Sequence, residues 1–139
     1  MPMKKGFKQL VAEAEAEIET LTPEQAMPLV QDPGVTLVDL RDIRELEREG
    51  VIPGAFHAPR GMIEFWVDPD SPYFKPVFGS GHKFVFFCAG GLRSALATQQ
   101  VQRMGLEPVA HIAGGFGAWK QAGGPVEAYV KPSKPPKTS

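Results

Sequence analysis

Cysteine is nearly absent from this chain: Cys88 stands alone among 139 residues. No internal disulfide can form, and no cysteine-rich zinc site can be assembled. The three histidines, His57, His82 and His111, are scattered without metal-ligand spacing. Asp68 and Asp70 lack the further ligands of a calcium loop, so no metal is assigned. Long apolar runs are missing too; none approaches the roughly 18 residues that cross a bilayer. An excess of either charge is absent, because 15 Lys and Arg meet 16 Asp and Glu for a net charge of −1. That balance excludes a dominant nucleic-acid footprint. Lys4, Lys5 and Lys8 are followed by Glu13, Glu15 and Glu17, so an apolar signal core is not expected. The chain reads as a soluble, cytoplasmic protein, with neither nucleic acid nor membrane as partner. A lone cysteine fits a reducing compartment. No internal repeat is visible, and the length has room for one domain with its own core.

What is present gathers around that cysteine. Lys83-Phe84-Val85-Phe86-Phe87-Cys88 is an apolar, aromatic and β-branched run that reads as a buried strand. Ala89-Gly90-Gly91 follows as a tight turn, and Leu92-Arg93-Ser94 opens a helix. This order places the thiol over backbone N–H groups and the positive end of a helix dipole. Such surroundings favour the thiolate, which is the reactive form. Four residues separate Cys88 from Arg93. Cysteine phosphatases place one residue more between Cys and Arg, so this loop makes a tighter bowl. It suits one extra sulfur atom better than a phosphoryl group.

The rest of the chain alternates strands with helices. Residues from about Phe7 to Glu19 form an amphipathic helix, with Phe7, Leu10, Val11, Ala14 and Ile18 on one face. It packs on the domain edge or serves as a dimerisation arm. Thr22-Pro23-Glu24-Gln25 is a helix start with a capping box, and that helix runs to about Val30. Val35 to Leu40 is a buried parallel strand ending at Asp39. Arg41 to Glu49 is a short charged helix. Pro59 to Trp66 is a short helix near the active loop, and Val67 to His82 is a long loop that can act as rim or lid. The helix after Arg93 runs to about Gly105 and buries Ala97, Val101 and Met104. Val109 to Ile112 is the next buried strand. Phe116 to Ala122 is the last helix, with Trp119 in the core. Together these predict an α/β fold: a doubly wound parallel sheet with helices on both faces, plus the extra N-terminal helix. The expected divisions are residues 1–19 as a helical extension, 20–128 as the domain and 129–139 as a disordered, Pro- and Lys-rich tail.

The loop Cys88-Ala89-Gly90-Gly91-Leu92-Arg93-Ser94 resembles that of the rhodanese sulfurtransferase family, in its single-domain form. Supporting matches are Val38-Asp39-Leu40-Arg41 with Glu45, Gly50-Val51-Ile52-Pro53-Gly54-Ala55, and Gly114-Gly115-Phe116-Gly117-Ala118-Trp119. They occur in the family's order over roughly residues 20 to 125. Where Val51 stands the family usually has histidine, which removes a structural hydrogen bond rather than a catalytic one.

The resemblance implies a rhodanese-like fold and a sulfurtransferase that needs no cofactor. Cys88 would attack the outer sulfur of a donor such as thiosulfate and become a persulfide. The loop N–H groups from Ala89 through Gly90, Gly91, Leu92 and Arg93 to Ser94 would hold the terminal sulfur. Arg93 would neutralise an anion or tie the loop to a carboxylate. Ser94 would act through its N–H and hydroxyl. Asp39, Arg41 and Glu45 would support the loop, with contact between Asp39 and the chemistry as an even alternative. Arg60 is assigned to the anionic substrate. Cyanide or a small thiol would accept the sulfur in a double-displacement scheme. Two other readings remain: a sulfur-relay or regulatory module that hands persulfide sulfur to a protein docked on the acidic N-terminal helix, and a phosphatase or arsenate reductase on the same fold.

Overall fold

The structure, a computed structural model, describes residues 3–132. Residues 133–139, which make up most of the expected disordered tail, lie outside the described part. The elements in chain order are α1 (Phe7–Glu17), β1 (Glu19–Leu21), α2 (Pro23–Ala26), β2 (Val35–Asp39), α3 (Ile43–Glu49), β3 (Phe56–His57), α4 (Ile63–Val67), β4 (Lys83–Phe87), α5 (Leu92–Arg103), β5 (Val109–Ile112) and α6 (Gly115–Gln121). Five strands form one sheet in the order β1-β5-β4-β2-β3, and every pairing is parallel. A parallel sheet is buried on both faces, and two apolar layers cover this one. Val38, Phe84, Phe86 and Val109 face one layer with Ile63 of α4 and Ala97 and Val101 of α5. Leu37, Val85, Phe87, Ala110 and Ile112 face the other with Ala26 of α2 and Phe116 and Trp119 of α6. The alternation along each strand divides its residues between the two layers.

Local chemistry sets the ends of the elements. Thr22 caps α2 through a complete capping box with Gln25, and Pro23 occupies the first turn, as the sequence predicts. A 3-10 turn over Met27–Gln31 extends that helix to the Asp32-Pro33-Gly34 break. Asp42 and Glu45 form a second capping box at α3. Trp119 is fully buried and donates its indole N–H to the Pro125 carbonyl at 2.9 Å.

Four expectations are corrected. Phe7 and Leu10 of α1 are exposed, and only Val11, Ala14 and the following Ile18 are buried. The helix ends at Glu17, because Glu19–Leu21 leaves it to pair with β5 as an edge strand. Met104 is exposed at the end of α5 rather than part of its buried stripe. The long loop is interrupted by a 3-10 turn over Pro76–Gly79, and buried Phe78 anchors it to the core.

Candidate active site

The register of the sheet brings the relevant side chains to one end. β2 and β4 pair with Asp39 opposite Phe87, so the chain leaves both strands side by side. Cys88 follows Phe87, and Gly91 then takes a left-handed backbone, φ +100°, which starts α5. A side chain at Gly91 would be strained and would crowd Gly114. The other wall is α6. Phe116 N–H donates to the Cys88 carbonyl at 2.8 Å, and Gly117 N–H to the Ala89 carbonyl at 3.1 Å. Free N–H groups at one helix start thus hold the carbonyls of the loop. Gly115 sits so close to the Cys88 carbonyl oxygen that any Cβ would collide with it.

The thiol itself lies under the loop, 1% exposed. Its Sγ accepts from the Gly91 N–H at 3.2 Å and the Ser94 N–H at 3.4 Å. The thiol proton faces Ser94 Oγ at 3.6 Å. Among the described residues these are the backbone N–H groups of the loop that bond this sulfur, so the cup expected from Ala89 to Ser94 closes on Cys88 through Gly91 and Ser94, and the Arg93 guanidinium faces the same sulfur. Ala89 and Gly90 are exposed on the outer side.

The carboxylates and guanidiniums divide into three pairs. Arg93 donates two hydrogen bonds to Glu45, at 2.8 and 3.0 Å, in a fork geometry. Arg93 is thereby held even more firmly protonated than usual, and the Glu45 carboxyl is held down at about 2, chiefly by Arg93. Deeper in, Arg41 and Asp39 form a buried pair with Nη2 to Oδ2 at 2.8 Å. The same Arg41 reaches the Gly50 carbonyl at 2.8 Å and stacks 4.0 Å above the Phe116 ring. Asp39 also accepts the Arg41 N–H and makes no hydrogen bond to Cys88. Arg60 donates to Glu64 at 2.8 Å and makes no hydrogen bond to residues 88–94. Trp66 packs against the core, under the Lys75 ammonium.

A depression of about 380 Å³ opens beside the loop, lined by Arg41, Glu45, Arg48, Ala89, Phe116 and Lys120 among others. Ala89 is its nearest approach to the thiol in the chain. Among the described residues no group of three or more His, Cys, Asp or Glu side chains is placed to hold a metal ion. No described helix is long and apolar enough to cross a membrane.

A family model described as Rhodanese-like domain matches residues 22–122. This chain belongs to the rhodanese-like family. The GlpE thiosulfate sulfurtransferase of Actinobacillus pleuropneumoniae is 29% identical over 107 residues, covering 77% of this chain and 91% of that one. An uncharacterized protein of Synechocystis sp. is 33% identical over 106 residues, or 76% of this chain. The match covers 54% of that relative, so the chain spans about half its length. Among solved structures, one from Rhodopseudomonas palustris CGA009 superposes with a TM-score of 0.88 at 56% identity, over 91% of this chain and 98% of that one. It is described as a protein of unknown function and possible tyrosine phosphatase. The rhodanese-like fold and the N-terminal α1 are therefore both present here.

Sequence reasoning did not single out His111. Its Nδ1 lies 3.0 Å from Ser94 Oγ, directly behind the thiol. The available signal was a polar residue in an otherwise apolar strand, Val109-Ala110-His111-Ile112.

Proposed function

We propose that this rhodanese-like domain is a sulfurtransferase that carries sulfane sulfur on Cys88, from a donor such as thiosulfate to a thiophilic acceptor such as cyanide or a small thiol. One observation carries the reading: Sγ rests on the Gly91 and Ser94 amides inside a loop whose arginine is already committed to Glu45. Thiolate attack on the outer sulfur of thiosulfate forms the S–S bond of a persulfide, breaks the S–S bond of the donor and releases sulfite. The two anions exchange with charge conserved. The amides of Ala89 and Gly90, both exposed residues, take the terminal sulfur, as an oxyanion hole takes oxygen. The acceptor then attacks that sulfur and returns Cys88 as thiolate. Asp39 and Arg41 keep β2 and Gly50 in place beneath the loop, and Glu45 keeps Arg93 from swinging. Residues 20–128 form the catalytic unit in this reading, and the cytoplasm is its compartment.

A phosphatase reading is favoured by the description of the Rhodopseudomonas palustris relative. The geometry of the loop speaks against it. A phosphoryl group needs the loop arginine as a bidentate partner, and Arg93 gives the Nη1/Nη2 end of its guanidinium to Glu45. A protein acceptor docked on the acidic N-terminal helix is also poorly supported. Glu13 pairs with Lys5, Glu15 points at His111, and Glu17 meets Gln99 and Arg103.

The deciding experiment is intact mass after thiosulfate treatment, with thiocyanate formation and aryl phosphate hydrolysis measured on the same protein. A gain of one sulfur and thiocyanate production, both lost in Cys88→Ala, are expected. Phosphate release without a sulfur adduct would replace this reading with the phosphatase.

A further inference from the structure

A buried thiol must lose its proton before it can attack, and Cys88 is 1% exposed. From Sγ a line of polar atoms runs away from the loop, through the layer between sheet and helices. Ser94 Oγ lies 3.6 Å from Sγ, and His111 Nδ1 lies 3.0 Å from Ser94 Oγ. His111 is itself 1% exposed, and its Nε2 has no hydrogen-bond partner among the described residues. The nearest carboxylate oxygen to that nitrogen is Glu15 Oε2 of α1, at 3.9 Å, on a side chain that is half-exposed. A buried imidazole nitrogen left without a partner is costly in a folded core. Here it faces a carboxylate contributed by the helix that precedes the sheet.

We propose that His111, supported by Glu15, is the proton acceptor for Cys88, reached through Ser94. The inference rests on Cys88 as the nucleophile of the proposed reaction. Neutral His111 accepts the Ser94 hydroxyl proton at Nδ1, which turns a Ser94 lone pair toward the thiol. The S–H proton passes to Ser94 Oγ as the Ser94 proton passes to His111. No electrons are gained or lost. The products are a thiolate and an imidazolium whose Nε2–H points at Glu15. The thiolate keeps the Gly91 and Ser94 amides and faces the Arg93 guanidinium, and the imidazolium gains a counter-charge at the helix surface. His111 acts through Ser94 and is a positioning residue for the thiolate, not a catalytic residue.

The surroundings of His111 leave these groups as the ones that set its charge. Across the sheet, β1 brings Thr20 alongside it and β4 brings Phe86. α5 contributes Ser94, α1 contributes Glu15, and the active loop contributes Cys88. Glu19 on β1 is paired with Lys83 instead. Burial keeps the imidazole below the usual histidine range, so it is neutral before the transfer, and the Glu15 carboxylate opposes that depression and favours the imidazolium once the proton arrives. The arrangement also gives α1 a function. It seals the face of α5 through Val11, Ala14 and Ala95, and in doing so it delivers Glu15 to the relay.

The test follows the thiol directly and needs no sulfur donor. Cys88 is the sole cysteine, so its alkylation by iodoacetamide can be timed by mass across a pH series. His111→Asn retains an acceptor for the Ser94 hydroxyl but cannot hold the proton. Relative to wild type it should be alkylated about tenfold more slowly at neutral pH, converging at alkaline pH. Glu15→Gln, at a half-exposed position that leaves the core intact, should shift the profile in the same direction by about threefold. The transfer leaves the proton count of the pair unchanged, so nitrogen NMR at neutral pH should show a protonated fraction of His111 that disappears as the pair loses its last proton at alkaline pH and that is missing in Cys88→Ser. Profiles that superimpose, slowing that is equal at every pH, or an imidazole spectrum that is the same in wild type and Cys88→Ser at neutral pH would overturn the relay. If His111→Asn does not fold, Glu15→Gln and the NMR titration still decide. A protein that forms no persulfide yet shows these shifts would overturn the sulfurtransferase reading and leave the relay standing; a persulfide with unmoved profiles would do the reverse.

Discussion

Glu45 does two things with one carboxylate. It closes the cap of α3 by accepting the Asp42 N–H at 3.0 Å, and it clamps Arg93 beside the thiol. Glu45→Gln separates the two, because glutamine can still close the capping box but carries no charge. The carboxyl is held at about 2 against an ordinary 4.5, with the Arg93 guanidinium as the main cause. Without solvent screening that depression corresponds to ~3 kcal/mol. The Arg93 side chain is 40% exposed, however, and solvent screening brings the expected contribution to about 1–2 kcal/mol. The folded chain binds this proton less readily than the unfolded chain, so the contribution rises with pH. It is present in full above about 4.5 and disappears as pH falls through about 2. Thermal melts of wild type and Glu45→Gln should therefore differ by about 3–8 °C at neutral pH. The two curves should draw together steadily as the buffer is acidified below the ordinary carboxylate range. A constant gap between neutral and strongly acidic pH, or no gap at all, would show that the charge of Glu45 does not hold Arg93.

Two further perturbations follow from the same geometry. Asp39→Ala leaves the Arg41 guanidinium buried without its counter-ion and should cost about 3–5 kcal/mol in urea melts, part of it recovered when Arg41→Met is added. Gly115→Ala places a methyl group against the Cys88 carbonyl at a backbone φ of +60°, a conformation that alanine resists. It should cost at least about 1–3 kcal/mol and shift the loop, seen as a lower melting temperature together with slower alkylation of Cys88.

Much of the fold was legible because its signals are local. The apolar run from Lys83 to Phe87 could be nothing but a buried strand, and the capping box at Thr22 needs only four consecutive residues. The turn after Cys88 is likewise written in glycine. The misses have a common origin in contacts between distant parts of the chain. Glu19–Leu21 carries little strand signal of its own and is a strand because β5 offers it an edge. Phe7 and Leu10 share the apolar face of α1, yet that helix settles on α5 with only Val11 and Ala14 against it. Periodicity shows which residues share a stripe, not how far the neighbouring element reaches along it.

The sequence alone determined the chemistry of the loop: a single sulfur, glycine where the backbone must turn, and an arginine at the fifth position after it. Those features act within a few bonds of one another, so composition and order suffice to specify them. Only the tertiary structure decided what each group would answer to. Arg93 could have met substrate or carboxylate, and the packing of α3 against the loop set Glu45, 48 residues away, on the Nη1/Nη2 end of its guanidinium. His111 was one scattered histidine among three until β5 ran beneath α5 and brought it to Ser94. A partner's identity depends on which surfaces are buried together, and burial is a property of the whole fold rather than of any stretch within it.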